Sequence, residues 1–259
     1  MRTAFIAAAF LALTGFSPAA HTANSADEFL HGQAPANVAS RDAAHAQQIC
    51  YTEYSVFTST ETLTPLWSAE HLTRAEIMAA RRVKRVDRFH EEPALPDGAR
   101  ADLQDYVHSG YDRGHMAPSG DMSTSIAQME SFSLANMAPQ LPALNRGLWE
   151  EIESSVRNLA VQDGELYVVT GPMFDAGQQK QLNGRVDVPA AFYKAVYDPK
   201  TGQAGAYIAW NEPEKRLMTV SIARLRAALG FDPFPALSED VKARAPVLPE
   251  PTRAGGGLS

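Results

Sequence analysis

The stretch Tyr111-Asp112-Arg113-Gly114-His115-Met116-Ala117-Pro118 decides how this chain is read. Piece by piece it is ordinary: a lone histidine is more often structural than reactive, Asp-Arg is often a surface pair, and Gly-His ahead of a proline suits a turn. The combination is sharper. In a strand, Arg113 and His115 project to the same face because side chains alternate. Gly114 between them lets a neighbour approach closely. An imidazole titrates near neutral pH and so suits a base that takes a proton from water. A guanidinium is always charged and forked, which suits a phosphate better than an ammonium does. Hydrolysis at a phosphodiester needs both, together with a metal or acid for the leaving oxygen.

Downstream, Asn145, Trp149, Glu153 and Arg157 recur at steps of four. On a helix beginning near Asn145 they drift slowly around one side. Each turn advances roughly 5.4 Å, so Asn145 and Glu153 stand too far apart to chelate one ion together; one direct ligand and one water-mediated partner is what the spacing allows. The plainer reading is a surface helix on which Glu153 and Arg157 form an ordinary ion pair. Trp149, Ile152, Val156 and Leu159 make one apolar stripe over the same stretch.

Around these residues the pattern is mixed. Residues 51–67 are rich in Thr, Tyr, Phe and Val and read as strands, as do residues 192–197 and 206–210. Residues 166–170 read as a strand stopped by Gly171-Pro172. Residues 72–82 read as a short helix, and residues 221–229 as another with Ser221 as N-cap and Gly230 as its C-terminal glycine. No βαβ rhythm appears, so an α+β fold is expected: a mixed or antiparallel sheet with flanking helices.

The ends differ from the body. Arg2, an apolar run over residues 4–13 and small residues at Ser17, Ala19 and Ala20 describe a secretory signal over residues 1–20. A flexible leader is expected over residues 21–46, a folded domain over 47–244, and a Pro- and Gly-rich disordered tail over 245–259. The chain would then be exported, to a periplasm or the medium, with no membrane anchor once the signal is cleaved. Cys50 is the single cysteine, so no intrachain disulfide exists, and an inert thiol is expected. His90 beside Glu91 and Glu92 reads as an exposed polar turn rather than a metal site, and His71 and His108 have no evident partners. Net charge is −7, which argues against a simple nucleic-acid binder but leaves room for a basic cleft on an acidic body. The cations Arg81, Arg82, Lys84, Arg85 and Arg88 crowd one segment that reads as a solvated face.

Taken together, Asp112-Arg113-Gly114-His115, Asn136-Met137-Ala138-Pro139-Gln140, Asn145-Arg146-Gly147-Leu148-Trp149, Glu153, Arg157, Thr170-Gly171-Pro172 and the upstream Arg85-Val86-Asp87-Arg88-Phe89 resemble the DNA/RNA non-specific endonucleases, ββα-metal nucleases with a DRGH signature related to endonuclease G. The resemblance spans residues 58–237. It implies a Mg²⁺-dependent endonuclease, with Mn²⁺ also accepted, that cuts DNA and RNA without sequence specificity and leaves 5′-phosphate and 3′-hydroxyl ends. On that resemblance His115 is the general base and Asn145 the direct protein ligand to the metal. Glu153 is a catalytic carboxylate acting on the metal through water. Arg85 and Arg113 are catalytic and bind substrate, and Arg157 grips a neighbouring phosphate. Asp112 supports the site from behind, and Asn136 either braces the base strand or is merely structural. Two other classes stay open: a nuclease fold that binds nucleic acid without cutting it, and a hydrolase of a different phosphodiester. Oligomeric state is not legible.

Overall fold

Thr170, Val169 and Val168 lie near the centre of a seven-stranded antiparallel sheet because β-branched residues fit a pleated surface buried on both sides. The computed structural model describes residues 26–36, 44–175, 177 and 180–252. The sheet is ordered β1 (Ala46–Cys50), β2 (Ser55–Ser59), β3 (Pro65–Thr73), β6 (Glu165–Met173), β9 (Ala191–Asp198), β10 (Gln203–Trp210), β11 (Leu217–Val220). Strands β4 (Asp112–His115) and β5 (Met137–Gln140) form a separate antiparallel pair, and β7 (Gln181–Leu182) and β8 (Val186–Asp187) another.

Alternate residues of the large sheet feed two cores. Val169, Tyr193, Ala195, Ala206 and Ile208 face one side, where they meet Leu225, Phe231, Phe234 and Leu237. Val168, Phe192, Val196, Tyr207 and Ala209 face the other, where they meet Trp149, Ile152 and Val156. The result is three layers, and it explains why the central strands read as apolar runs rather than alternating ones. The α+β expectation holds.

The helices follow their capping signals. Helix α1 (Arg74–Ala80) opens on a capping box in which Thr73 and Glu76 satisfy each other's backbone groups. Helix α2 (Ser125–Ser131) is capped by Thr124. Helix α3 (Glu150–Asp163) lays its predicted stripe of Trp149, Ile152 and Val156 on the sheet. Helix α4 (Ile222–Leu229) is capped by Ser221 and ended by Gly230 in the left-handed region, φ 76°, as expected. Helix α5 (Glu239–Ala243) follows.

Three expectations are corrected. Strand β6 does not stop at Gly171-Pro172 but runs on to Met173. Its pairing with β3 ends at Thr170, so beyond that residue one edge is open and tolerates the proline. Gly171 is needed for space: a Cβ there would lie 2.5 Å from the carbonyl oxygen of Leu66. The leader expected over residues 21–46 is folded onto the body between 26 and 36. Phe29 and Leu30 are buried in the first core, Phe29 meets Trp67 edge-on at 5.9 Å, and Ala36 bridges to Asp232. The tail expected over 245–259 is likewise packed as far as 252, with the Tyr207 hydroxyl donating to the Pro249 carbonyl at 2.6 Å and the Thr252 N–H to Ser155 Oγ at 3.0 Å. Both segments are too short for a periodic pattern, so composition alone could not show that a few apolar groups find a face. The signal reading over residues 1–20 and the last residues of the tail lie outside the described residues.

Candidate active site

Strand β4 is held flat against β5 with Arg113 opposite Pro139 and His115 opposite Met137. Gly114 permits this. A Cβ at that position would sit 2.3 Å from Oε1 and 2.6 Å from Cβ of Gln140. Asn136, fully buried just before β5, ties the segment after β4 in place. Its Nδ2 donates to the Ala117 carbonyl (2.8 Å) and the Ser131 carbonyl (3.0 Å), and its Oδ1 accepts from the Ala117 N–H (2.9 Å) and Ser68 Oγ (2.9 Å). Its own carbonyl accepts from the Met116 N–H at 3.0 Å.

His115 is 9% exposed. Its ring lies 5.0 Å from the Phe132 ring, nearly perpendicular, and 5.8 Å from that of Phe89. Burial in this aromatic cage, reinforced by the charge of Arg85, pushes its pKa down to about 3. The imidazole is therefore neutral, and its Nε2 has no hydrogen-bond partner among the described residues. Arg113 stacks over Phe89 (5.1 Å) and Tyr106 (5.5 Å) and donates to the Leu103 carbonyl at 3.3 Å. Arg85 donates to Ser119 Oγ (2.9 Å) and Asp87 (2.6 Å) and lies over the Phe132 ring at 5.2 Å.

Asp112, on the same strand as His115, ties β4 to the segment that follows β5. Its Oδ2 accepts from Nδ2 of Asn145 at 2.9 Å, and both of its oxygens accept from Arg146, at 2.8 and 2.6 Å. Fixing the amide nitrogen of Asn145 turns its carbonyl oxygen away from that carboxylate. The regular helix expected from Asn145 is not observed. Leu144–Trp149 is a π-helical turn with a non-helical Gly147, and α3 begins only at Glu150. The wide turn separates Trp149, wholly buried against Phe192, from the polar series to which its spacing assigned it. Glu153 is part-buried, and desolvation raises its pKa to about 7 against the opposing charges of Arg157 and Lys194. Arg157 donates not to Glu153 but to Asp121, at 2.8 Å, with Asp121 only 4% exposed.

Seven of the eight residues singled out in the sequence line one cleft of about 670 Å³: Arg85, Asp112, Arg113, His115, Asn145, Glu153 and Arg157. Asn136 lies beneath it. Sequence reasoning missed Asp121, Tyr106, Tyr111 and Ser119. Asp121 and Ser119 sit just after the signature, which was the available signal; Tyr106 is reached only through a three-dimensional stack. Other assignments also change. His71 pairs with Glu165 at 2.7 Å and stacks on Tyr167. His90 is part-buried and its segment bridges to Ser133, so it is not an exposed turn. Glu92 is buried and accepts from Tyr51 and Ser133. Cys50 is free and part-buried.

The model of the DNA/RNA non-specific endonucleases matches residues 33–240. The chain belongs to that family. It is 37% identical over 165 residues to Nuclease C1 of Cunninghamella echinulata var. echinulata, covering 59% of this chain and 66% of that one. Identity is 32% over 215 residues to the mitochondrial nuclease EXOG of Danio rerio, covering 75% and 62%. It is 35% over 176 residues to a nuclease of Nostoc sp., covering 61% and 64%. The chain thus spans under two thirds of the length of these relatives. A chain in the crystal structure of the EndoG/EndoGI complex shares the fold, with a TM-score of 0.68 at 23% identity, over 87% of this chain and 96% of that one. The fold of this non-specific endonuclease family member is therefore the EndoG-like one. Among the described residues no helix is long and apolar enough to cross a membrane.

Proposed function

We propose that this chain is an exported, Mg²⁺-dependent endonuclease that hydrolyses DNA and RNA without sequence specificity. The observation that carries this reading is the convergence of a neutral, unpartnered imidazole, three anchored guanidiniums and an oriented amide on one cleft. His115 takes a proton from water in line with the scissile bond. In the free protein it is a weak base. A bound phosphate places negative charge beside Arg85 and the ring, which raises the proton affinity of the imidazole as substrate enters. Arg85 and Arg113 face the charge that develops on the phosphate oxygens. Each is already held by protein partners, so little order is lost on binding. Arg157, fixed by Asp121, positions the neighbouring backbone. Asn136 braces the strand that carries the base.

The donor set suits a hydrated divalent cation. Asn145 would be its direct ligand through Oδ1, with Asp112 orienting the amide. Glu153 would act through water, and a carboxylate whose pKa is raised by burial gains from a nearby cation. Among the described residues no three His, Cys, Asp or Glu side chains gather to chelate a metal, so few protein oxygens and retained water are what this cleft provides. Mn²⁺ accepts the same oxygens. When bound, the ion supplies Lewis-acid stabilisation of the leaving 3′ oxygen. The products would then carry 5′-phosphate and 3′-hydroxyl ends. Grip on phosphates rather than base edges accounts for the lack of sequence preference. Export rests on the basic, apolar and small-residue succession of residues 1–20.

A single gel tests the reading. Purified protein with supercoiled plasmid and with RNA should nick and degrade both in Mg²⁺ and neither in EDTA. Intact nucleic acid after prolonged incubation in Mg²⁺ would refute it.

A further inference from the structure

Five cations fall within residues 81–88, in a chain whose net charge is −7. The structure gives this segment a definite place. It leaves α1 as a turn and continues as exposed coil, from which Arg85, Asp87 and Phe89 reach the cleft. At one end Arg81 reaches Asn158 Oδ1 at 3.5 Å, the residue next to the cleft-lining Arg157. Further on, Arg85 reaches Ser119 and the Val86 N–H donates to Gln128 Oε1 at 2.9 Å.

Several surface cations elsewhere are neutralised at close range. Arg100, Arg146, Arg185, Lys200, Lys215 and Arg226 each hold a carboxylate. Arg82, Lys84 and Arg88 do not: they are exposed, and their side chains have no hydrogen bond or ion pair with any described residue. Asp87 is the one acid of the segment, and Arg85 engages it at 2.6 Å. Three exposed, uncompensated charges therefore flank Arg85 and Asp87, which line the cleft, on the same short segment.

We propose that Arg82, Lys84 and Arg88 form a rail for the phosphodiester backbone beyond the nucleotide that occupies the cleft. The partner is a polynucleotide, recognised by its regular negative charge. This deepens, and rests on, the reading of the cleft as a nuclease site. An acidic body repels a polyanion at long range, so a local rail is where attraction has to come from. Each phosphate neutralised releases condensed counterions, so log affinity falls against log salt with a slope of about −0.9 per contact on duplex DNA. Three contacts contribute about 2.7 of that slope.

The experiment measures binding of a fluorescently labelled DNA duplex to the full chain in EDTA, across a salt series, with no cleavage needed. The variant Arg82→Gln/Lys84→Gln/Arg88→Gln should fold normally, since all three side chains are exposed, and should bind with a salt slope shallower by about 2.7. The charge-keeping Arg82→Lys/Arg88→Lys should retain the wild-type slope. A wild-type slope in the glutamine variant overturns the rail, as does an equal loss in the lysine variant. The nuclease reading fails separately. A protein that shows the slope change but never nicks plasmid in Mg²⁺ loses the catalytic assignment and keeps the rail, and one that nicks plasmid with an unaltered slope does the reverse.

Discussion

His115 has to be both buried and proton-accepting, and its cage of Phe89 and Phe132 decides how it meets that demand. Burial lowers its pKa from 6.5 to about 3. Between those values the unfolded chain binds a proton that the folded chain refuses. Its contribution to stability is thus complete above 6.5 and is lost as pH falls toward 3. Urea unfolding across mildly acidic pH should show the stability gap between wild type and His115→Asn narrowing as pH drops; a constant gap would show that the ring is not desolvated as described. Glu153 has the opposite sign. Its pKa is raised to about 7, so the proton it holds favours the fold below the ordinary carboxylate range, and that contribution disappears as pH rises through 7. Glu153→Gln should therefore melt higher than wild type in EDTA at alkaline pH, by roughly 2–4 °C per kcal/mol relieved. The same variant should cleave far more slowly in Mg²⁺, a trade of activity for stability. A lower melting temperature at that pH would contradict the burial argument.

At the scale of elements, the site depends on two strands brought unusually close. Gly114→Ala forces a methyl group into Gln140, and overpacking of this kind costs about 1–3 kcal/mol. Removing the obstacle in Gly114→Ala/Gln140→Gly should recover part of that loss in denaturant midpoint; a single variant as stable as wild type would mean that the strands are free to part. Much of this level was legible beforehand. The cap Ser221, Gly230 and the stripe of Trp149, Ile152 and Val156 are local signals, and each appears where its chemistry puts it; the cap Thr73 lay inside the stretch read as helix and was not singled out. The π-helical turn over Leu144–Trp149 was not legible, because steps of four look the same whether or not one turn is widened. Nor could sequence show that Arg157 pairs with Asp121 across the cleft rather than with Glu153 on its own helix.

For the whole molecule, the family motifs located the cleft, but they were silent on what closes the body. Sequence composition set residues 26–36 aside as a leader, since so short a stretch carries no period. Yet Phe29 covers Trp67, and Phe29→Ala should cost about 3–5 kcal/mol, read as a lower thermal midpoint. An unchanged midpoint would detach that segment from the fold. That Arg82, Lys84 and Arg88 stay exposed and unpaired beside the cleft-lining Arg85 likewise emerges only in three dimensions.

The central claim is that a neutral imidazole on β4 accepts the proton of the attacking water, across the cleft from the amide of Asn145. The rate of supercoiled-plasmid nicking by His115→Ala against wild type, at saturating Mg²⁺, tests it most directly. A fall of at least about 10²–10⁴-fold, with the fold intact by circular dichroism, is the predicted result. Nicking at the wild-type rate would contradict it.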